Sequence, residues 1–473
     1  MYHCRPADVC RIKRMVQQRI EKYAQNKKEY TQKENGEEHI MNSVWTETAK
    51  IPRFDKLEGE VKTDVLIIGG GITGLLCAYF LQEKGVDYLL AEGRTICSGV
   101  TGNTTAKITA QHGLMYADLL KKAGAEKTRM YLDANQKALE KYFALCKNID
   151  CDFEEKNNFV YSINNKNKLE READALRKIG YDALLRDPTE LPFSTVGAVG
   201  FAHQAQFHPL KFLVHIAEGL NIYEDTFVTK LSENAALTER ARITYQKLIF
   251  ATHFPIDNKH GLYFLKMYQD RSYVIALENA PLVKDMYINE NKKGMSFRSY
   301  KDLLLVGGGS HRTGKQGGKW EELRTYAGKY YPRAKERYYW ATQDCMTLDN
   351  VPYIGLYSKN MPQCYVATGY HKWGMTSAMA AAMILTDMII GKENPYKAVF
   401  CPSRNILKPQ LLINGTETTV NLLMPTTRRC PHLGCALKWN ETEHSWDCSC
   451  HGSRFDEDGR LLDNPANGDW KRE

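Results

Sequence analysis

The fold of this chain turns on Asp64-Val65-Leu66-Ile67-Ile68-Gly69-Gly70-Gly71-Ile72-Thr73-Gly74. The first five residues form a short, almost wholly apolar run, as a strand buried on both faces of a parallel sheet requires. A G-x-G-x-x-G cluster follows. Helical periodicity then runs from about Thr73 to Lys84, and Gly85 is placed to stop the helix. A second apolar run, Tyr88-Leu89-Leu90-Ala91, ends at Glu92 and completes one βαβ unit. In such a unit Gly69 permits the tight turn, Gly71 the close approach of a pyrophosphate, and Gly74 the packing of helix on strand. The helix N-terminus supplies N–H groups and partial positive charge to phosphates. Glu92, 18 residues past Gly74, is placed to accept from ribose hydroxyls and to repel a 2′-phosphate. The pattern alone also suits a glycine-rich turn that binds nothing; the strand–turn–helix–strand–acid context favours a dinucleotide. It does not separate FAD from NAD.

Working outward, Tyr116 to Ile149 and Lys168 to Ile179 have helical periodicity with charged faces and are expected to form a cap. Lys247 to Thr252, Leu303 to Val306 running into Gly307-Gly308-Gly309, and Cys364 to Gly369 read as buried strands, and Thr376 to Ile390 as an Ala/Met-rich helix closed by Gly391. Beyond Pro402 the texture changes to short β-like runs. Leu411-Leu412-Ile413 leads into Asn414-Gly415, a hairpin signal.

The chain between roughly residues 60 and 398 resembles the D-amino-acid-oxidase-like family of FAD enzymes, which includes glycine oxidase and sarcosine oxidase. Three stretches carry the resemblance. One is the glycine fingerprint with Glu92 and the small-residue loop Ser98 to Lys107, which in that family runs along the flavin. The second is Ile249-Phe250-Ala251-Thr252-His253, similar to the family's A-T-G strand end. The third is Val366 to Thr376, in which Gly374 and Met375 open a helix aimed, by analogy, at the flavin O2 region. The resemblance implies FAD contacts at Gly69, Gly71, Gly74, Glu92, Thr104, Thr105, Gly374 and Met375. His253, His371 and Trp373 are flavin-side catalytic candidates by position, although a histidine after a strand is more often structural.

Of thirteen cysteines, nine are scattered and read as buried thiols. The other four lie in Cys430-Pro431-His432-Leu433-Gly434-Cys435 and Cys448-Ser449-Cys450-His451-Gly452-Ser453. The pattern is C-x-H, fifteen residues, then C-x-x-H. Two thiolates and two imidazoles on two loops can hold a [2Fe–2S] cluster, and Cys2His2 is also a zinc set. The crowding of these ligands departs from the usual zinc-finger spacing. The stretch strongly resembles the Rieske family, which implies Cys430, His432, Cys448 and His451 as ligands and a disulfide between Cys435 and Cys450. In the same comparison Ser453 matches a serine donating to a bridging sulfide, and Asn464-Pro465-Ala466 matches a proline loop. Phe455 replaces an expected tyrosine, which implies a potential below that of respiratory Rieske centres.

The fold class is therefore expected to be α/β. A Rossmann-like FAD-binding domain carries an inserted α+β substrate or cap domain, and a small all-β Rieske domain follows at the C-terminus. The expected divisions are 1–40, a polar extension; 41–399, the oxidoreductase domain; and 400–473, the Rieske domain. Within 41–399 the FAD-binding parts are 61–115, 195–252 and 340–398, and the cap parts are 116–194 and 253–339. Residues 1–40 carry 9 Lys and Arg against 6 Asp and Glu. They hold a short helix near Val9 to Ile20, a disordered arm, or a translated leader ahead of a start at Met41.

FAD takes two electrons as hydride and a Rieske cluster carries one, so together they convert a two-electron oxidation into single-electron steps. The expected activity is FAD-dependent oxidation of a C–N bond in a small amine or amino acid, with electrons leaving through the cluster to an unidentified acceptor. The alternative is an electron-transfer module in which a protein donor reduces the cluster; a third reading is a redox sensor. The family's G-x-R-P-like arginine for a substrate carboxylate is absent from Tyr339 to Asp344. Asp344 can attract a cationic amine; Arg298 and His311 are weaker substitutes with core roles more expected. The net charge of +8 on 473 residues is mild and dispersed, unlike the concentrated patch of a nucleic-acid binder. Apolar residues at 43 % and charged residues at 25 % suit a globular chain. Neither a transmembrane run nor a signal h-region is present, so a cytoplasmic setting is expected.

Overall fold

The computed structural model of the protein describes residues 33–34, 37–38, 42–257 and 260–470. The helix expected near Val9 to Ile20 and the start expected at Met41 lie outside them.

Strand Gly59–Ile68 is the centre of a mixed sheet, the cofactor sheet. It pairs in parallel with Tyr88–Ala91 on one side and Ala241–Phe250 on the other. Ala241–Phe250 in turn pairs in parallel with Met361–Thr368. Val65 to Ile68 and all of Tyr88–Ala91 are buried, as expected of strands covered on both faces. Helix Ile72–Glu83 crosses between the first two strands and stops at Gly85, whose φ of 65° suits glycine. Helix Gly374–Ile389 packs on it, and the kinked helix Tyr116–Cys146 packs on that in turn.

A second sheet forms a wall in front of the first. Its strands run in the spatial order Lys335–Thr347, Met267–Glu278, Leu303–Arg312, Ser296–Tyr300, Met286–Asn289, Glu154–Ser162, Gly197–Gln206 and Lys107–Ile108. Gly197–Gln206 and Lys335–Thr347 are both strands of the wall. Gly307 and Gly308 sit inside Leu303–Arg312 rather than in a loop. A Cβ at Gly308 would lie 2.5 Å from Met295 Sδ, and at Gly307 2.8 Å from Ser296 Oγ.

The tail is an antiparallel meander of Leu437–Asn440, Ser445–Cys448, Arg454–Phe455 and Leu461–Asp463. Before it, the hairpin expected at Asn414-Gly415 is replaced by helix Pro409–Leu423, with Pro409 in its first turn. This helix is inverted: Leu412, Ile413, Val420 and Leu423 are exposed while Asn414 and Asn421 are buried. The buried amides are fasteners. Arg312 donates to Asn414 Oδ1 at 3.1 Å, and Ser449 Oγ to Asn421 Oδ1 at 3.1 Å.

The tail locks to the wall through Glu443, whose side chain is 3 % exposed. It is ion-paired with Arg271, accepts from Arg454 Nη2 at 2.9 Å, and takes Tyr273 Oη–H at 2.7 Å. Burial alone would raise the Glu443 carboxyl, but Arg271 and Arg454 hold it well below the ordinary range. Its folded-state value is depressed, so its contribution is complete at neutral pH and is lost only as pH falls below the usual carboxylate range. Glu443→Gln leaves two buried guanidinium groups short of a counter-charge, and the expected cost is about 3–5 kcal/mol. Denaturant unfolding at pH 7 measures it; the variant should also lack the steep acid limb of the parent.

Candidate functional site

A cleft of about 1140 Å³ lies between the cofactor sheet and the wall. Its floor is the glycine turn. Gly69, at φ 108°, lies so close to the next strand that a Cβ would come within 2.6 Å of the Ala251 carbonyl oxygen. At Gly74 a Cβ would lie 1.9 Å from the Gly69 carbonyl, which is the helix-on-strand contact. Gly71 lines the cleft and would meet nothing closer than Thr101 Oγ1 at 3.2 Å, so a side chain there would take ligand space. Glu92 lines the cleft and accepts from the Gly70 and Arg94 amides at 2.6 and 2.8 Å. Desolvation raises its carboxyl against the pull of those donors. These features fit the pyrophosphate and ribose of a dinucleotide.

Thr104, Thr105, Gly374 and Met375 line the same cleft, and no side chain caps the helix that opens at Gly374. Lys107 also lines it and was not singled out from the sequence. It is buried, and desolvation together with the charge of Arg298 lowers its ammonium to about 7. Arg298 does not line the cleft: it braces the loop from behind, donating to the Thr105 and Ala106 carbonyls at 2.6 and 2.8 Å. His311 is likewise structural, held by Tyr273 Oη at 2.9 Å and the Arg312 carbonyl at 2.9 Å.

The four catalytic candidates all reach the cleft wall. Asp344 is buried; desolvation raises its carboxyl to about 6 even though Lys372 opposes the rise. Lys372 is held by Ser310 Oγ at 3.1 Å. His371 is tied to Thr347 through its amide and its hydroxyl (2.9 Å), and desolvation lowers it to about 3, so it is a neutral brace. Trp373 stacks on His112 with centroids 5.1 Å apart. His112 itself was missed by the sequence reading; both its nitrogens are engaged, by Tyr131 Oη and the Thr109 carbonyl. His253 follows strand Ala241–Phe250 with φ 65°, desolvation lowers it to about 4, and its buried Nε2 makes no hydrogen bond.

The second centre has two loops of the same construction. The Gly434 amide returns to the Cys430 carbonyl and the Gly452 amide to the Cys448 carbonyl, each at 2.9 Å. The Cys430 amide donates to the Cys435 carbonyl and the Cys448 amide to the Ser453 carbonyl, each at 2.8 Å. Gly434 and Gly452 have φ of 78° and 96°, which the turns require. The loops are joined by a Cys435–Cys450 disulfide. Between them the Cys430 and Cys448 thiols are buried together, and the His432 and His451 rings meet edge to face at 4.8 Å. Both ring nitrogens of His451 are buried without a hydrogen bond. A buried imidazole with neither nitrogen engaged fits a ligand role, and two soft thiolates opposite two imidazoles fit the ligand set of a [2Fe–2S] cluster. Phe455 is fully buried, and Ser453 Oγ accepts from the Ala466 amide at 2.9 Å.

The histidine edge of this centre faces the domain that holds the cleft. Phe254 meets His432 at 6.2 Å and Phe264 meets His451 at 6.1 Å. Four consecutive carbonyls of the second loop are capped from the wall sheet. Arg312 Nε donates to Ser449 O at 2.9 Å and Nη2 to Cys450 O at 2.8 Å; Gln269 Nε2 donates to His451 O, and Gln343 Nε2 to Gly452 O, each at 2.8 Å. Nothing in the spacing of Gln269, Arg312 and Gln343 along the chain announced this.

Comparison with known proteins matches the geometry. The family model for FAD dependent oxidoreductases matches residues 64–388, and that for the Rieske [2Fe-2S] domain matches residues 410–471. The Bacillus subtilis (strain 168) protein YhfW, by name a Rieske 2Fe-2S iron-sulfur protein, is 34 % identical over 90 % of this chain and 96 % of its own. Gamma-glutamylputrescine oxidoreductase of Escherichia coli (strain K12) is 23 % identical over 76 % of this chain and 91 % of its own. The crystal structure of glycine oxidase from Geobacillus kaustophilus superposes with a TM-score of 0.63 at 18 % identity, covering 73 % of this chain and 100 % of that one.

Two outcomes are expected. Gly71→Val should still fold but hold FAD at least about tenfold more weakly in a fluorescence titration, because the side chain occupies the approach of the pyrophosphate. An EPR-monitored redox titration should place the cluster potential in the lower half of the family range of about −150 to +300 mV, and Phe455→Tyr should raise it.

Proposed function

Because the chain belongs to the FAD dependent oxidoreductase family and ends in a Rieske [2Fe-2S] domain, we propose that it oxidises a C–N bond of a small amine or amino acid and sends the electrons singly through the cluster. Bound FAD supplies a hydride acceptor and the cluster a one-electron carrier. The observation that carries the reading is the segment Thr252-His253-Phe254. Thr252 and His253 line the cleft, and Phe254, the next residue, packs on His432 of the cluster loops. One stretch of backbone thus touches both cofactor sites.

The charges in the cleft support an amine. Asp344 is a carboxylate above about pH 6, and Lys372 is a cation beside it. Among the described residues lining the cleft, arginine occurs only as Arg94, next to Glu92. A bidentate arginine clamp for a substrate carboxylate is therefore not part of the reading. Asp344 would orient a cationic nitrogen, while His371 and His112, neutral and tied at their nitrogens, would fix the cleft wall. Gamma-glutamylputrescine oxidoreductase, a relative named for an amine, supports the same substrate class.

Anaerobic addition of candidate amines tests the proposal. A substrate should bleach the flavin band first and the cluster band afterwards. Reduction only by a protein donor, with no response to any amine, would favour the electron-transfer module. For a substrate so identified, kcat/KM should rise as pH increases through about 6, since Asp344 has a raised folded-state value and gains its charge there. Asp344→Asn should lose that limb and lower kcat/KM by about 10²-fold.

A further inference from the structure

We propose that the Rieske domain is part of the FAD site: its loop 461–469 closes the adenosine end of the cleft, so that filling either cofactor site tightens the other. The inference rests on the presence of the two cofactors and not on the amine reading.

Asp463, Asn464, Asn467 and Asp469 line the same cleft as Gly69, Gly71 and Glu92. Glu92, Arg94 and Phe227 to Thr229 line the cleft as well, and contacts of the loop with Arg94 and Thr229 set it at the Glu92 end. The loop is fastened there. Asn464 Nδ2 donates to the Thr252 carbonyl at 2.5 Å and the Phe254 carbonyl at 2.8 Å, and Asn467 Nδ2 reaches the Thr229 carbonyl at 3.5 Å. Burial would raise the Asp463 carboxyl, yet Arg454, Arg271 and Arg94 hold it below its ordinary value. Two of these arginines belong to the domain lock, and the third stands beside Glu92.

The same loop is fastened to the cluster. The Ala466 amide donates to Ser453 Oγ at 2.9 Å, and Ser453 closes the second cluster loop. Gln269 Nε2 is shared between the His451 and Asn464 carbonyls, at 2.8 Å each. A cluster that orders residues 448–453 therefore orders 461–469, and the ordered loop completes the wall that adenosine meets. By linkage the coupling is reciprocal.

The test uses the full-length chain with its cluster loaded and its FAD stripped, and reads the Kd of added FAD and of FMN, which lacks the adenosine half. Iron content and the cluster spectrum are recorded for each sample. Asn464→Ala with its iron intact should bind FAD about tenfold more weakly, and Asn467→Ala should shift in the same direction. FMN binding should be the same in all three proteins. Chelator-treated, iron-free parent should also weaken for FAD and not for FMN. Unchanged FAD affinity in the variants overturns the proposal, as does an equal loss for FMN. If Asn464→Ala loses its iron, Asn467→Ala decides, because Asn467 is exposed and, among the described residues, its side chain hydrogen-bonds only the Thr229 carbonyl.

Discussion

Four main-chain carbonyls in a row, from Ser449 to Gly452, are hydrogen-bonded to side chains of another domain. The rest of the architecture depends on this. A loop that holds a cluster turns its amides inward, so its carbonyls point outward, and a buried carbonyl without a donor is costly. In this chain Arg312, Gln269 and Gln343 supply the donors. Gln343 also donates to Gln269 Oε1 at 3.0 Å and accepts from Thr313 Oγ1 at 2.9 Å, so the amides are fixed in the orientation that donates to the loop. Gly452 is part of the same contact: a Cβ there would lie 2.5 Å from Gln269 Cβ. Docking of the tail is thus a requirement of the loop's own chemistry, and the histidine edge of the cluster is held against the flavin-side domain rather than presented to solvent.

Charge is arranged around that docking. Glu443 neutralises Arg271 and Arg454 where the domains meet, and the remaining carboxylates Asp447 and Asp463 complete the set around Arg454 at 3.0 and 3.1 Å. The cleft behind the wall is treated differently. Lys107 and Arg298 sit in the interior with no carboxylate hydrogen-bonded to either among the described residues; desolvation lowers both, and the charge of Arg298 lowers Lys107 further.

Much of this was legible in the residues. The βαβ unit around Gly69 to Glu92 was readable because its constraints are local: strand, turn, helix and acid follow one another within a single unit, and Gly69 and Gly74 lie against backbone that a side chain would strike. The cluster loops were readable for the same reason, since ligands crowded into two short stretches leave few other uses. What was not legible depends on pairs far apart in the chain. Gln269 and Gln343 were not singled out, and Lys107 was one member of a small-residue loop; for Arg298 the core role, the more expected one, is the one found, bracing the Thr105 and Ala106 carbonyls. The helix Pro409–Leu423 was misread as a hairpin because Asn414-Gly415 is a strong turn signal locally, whereas Asn414 is held in the helix by Arg312 and the Leu265 carbonyl.

The smallness of the tail domain follows from its dependence. Its core among the described residues is Cys430, Cys435, Leu437, Cys448, Cys450, Phe455 and Ala466. Four of those seven are cysteines committed to the disulfide or the cluster loops, which leaves three conventional apolar side chains. A domain below about 70–80 residues seldom gathers enough apolar area to fold on its core alone and is usually stapled by disulfides or metal. Here the staples are the Cys435–Cys450 bond, the cluster loops, and the wall sheet of the neighbouring domain. Short strands of two to four residues suffice because the sheet has only to carry two loops to a surface that finishes them. The wall sheet of the neighbouring domain is thus part of what holds the loops of the second centre.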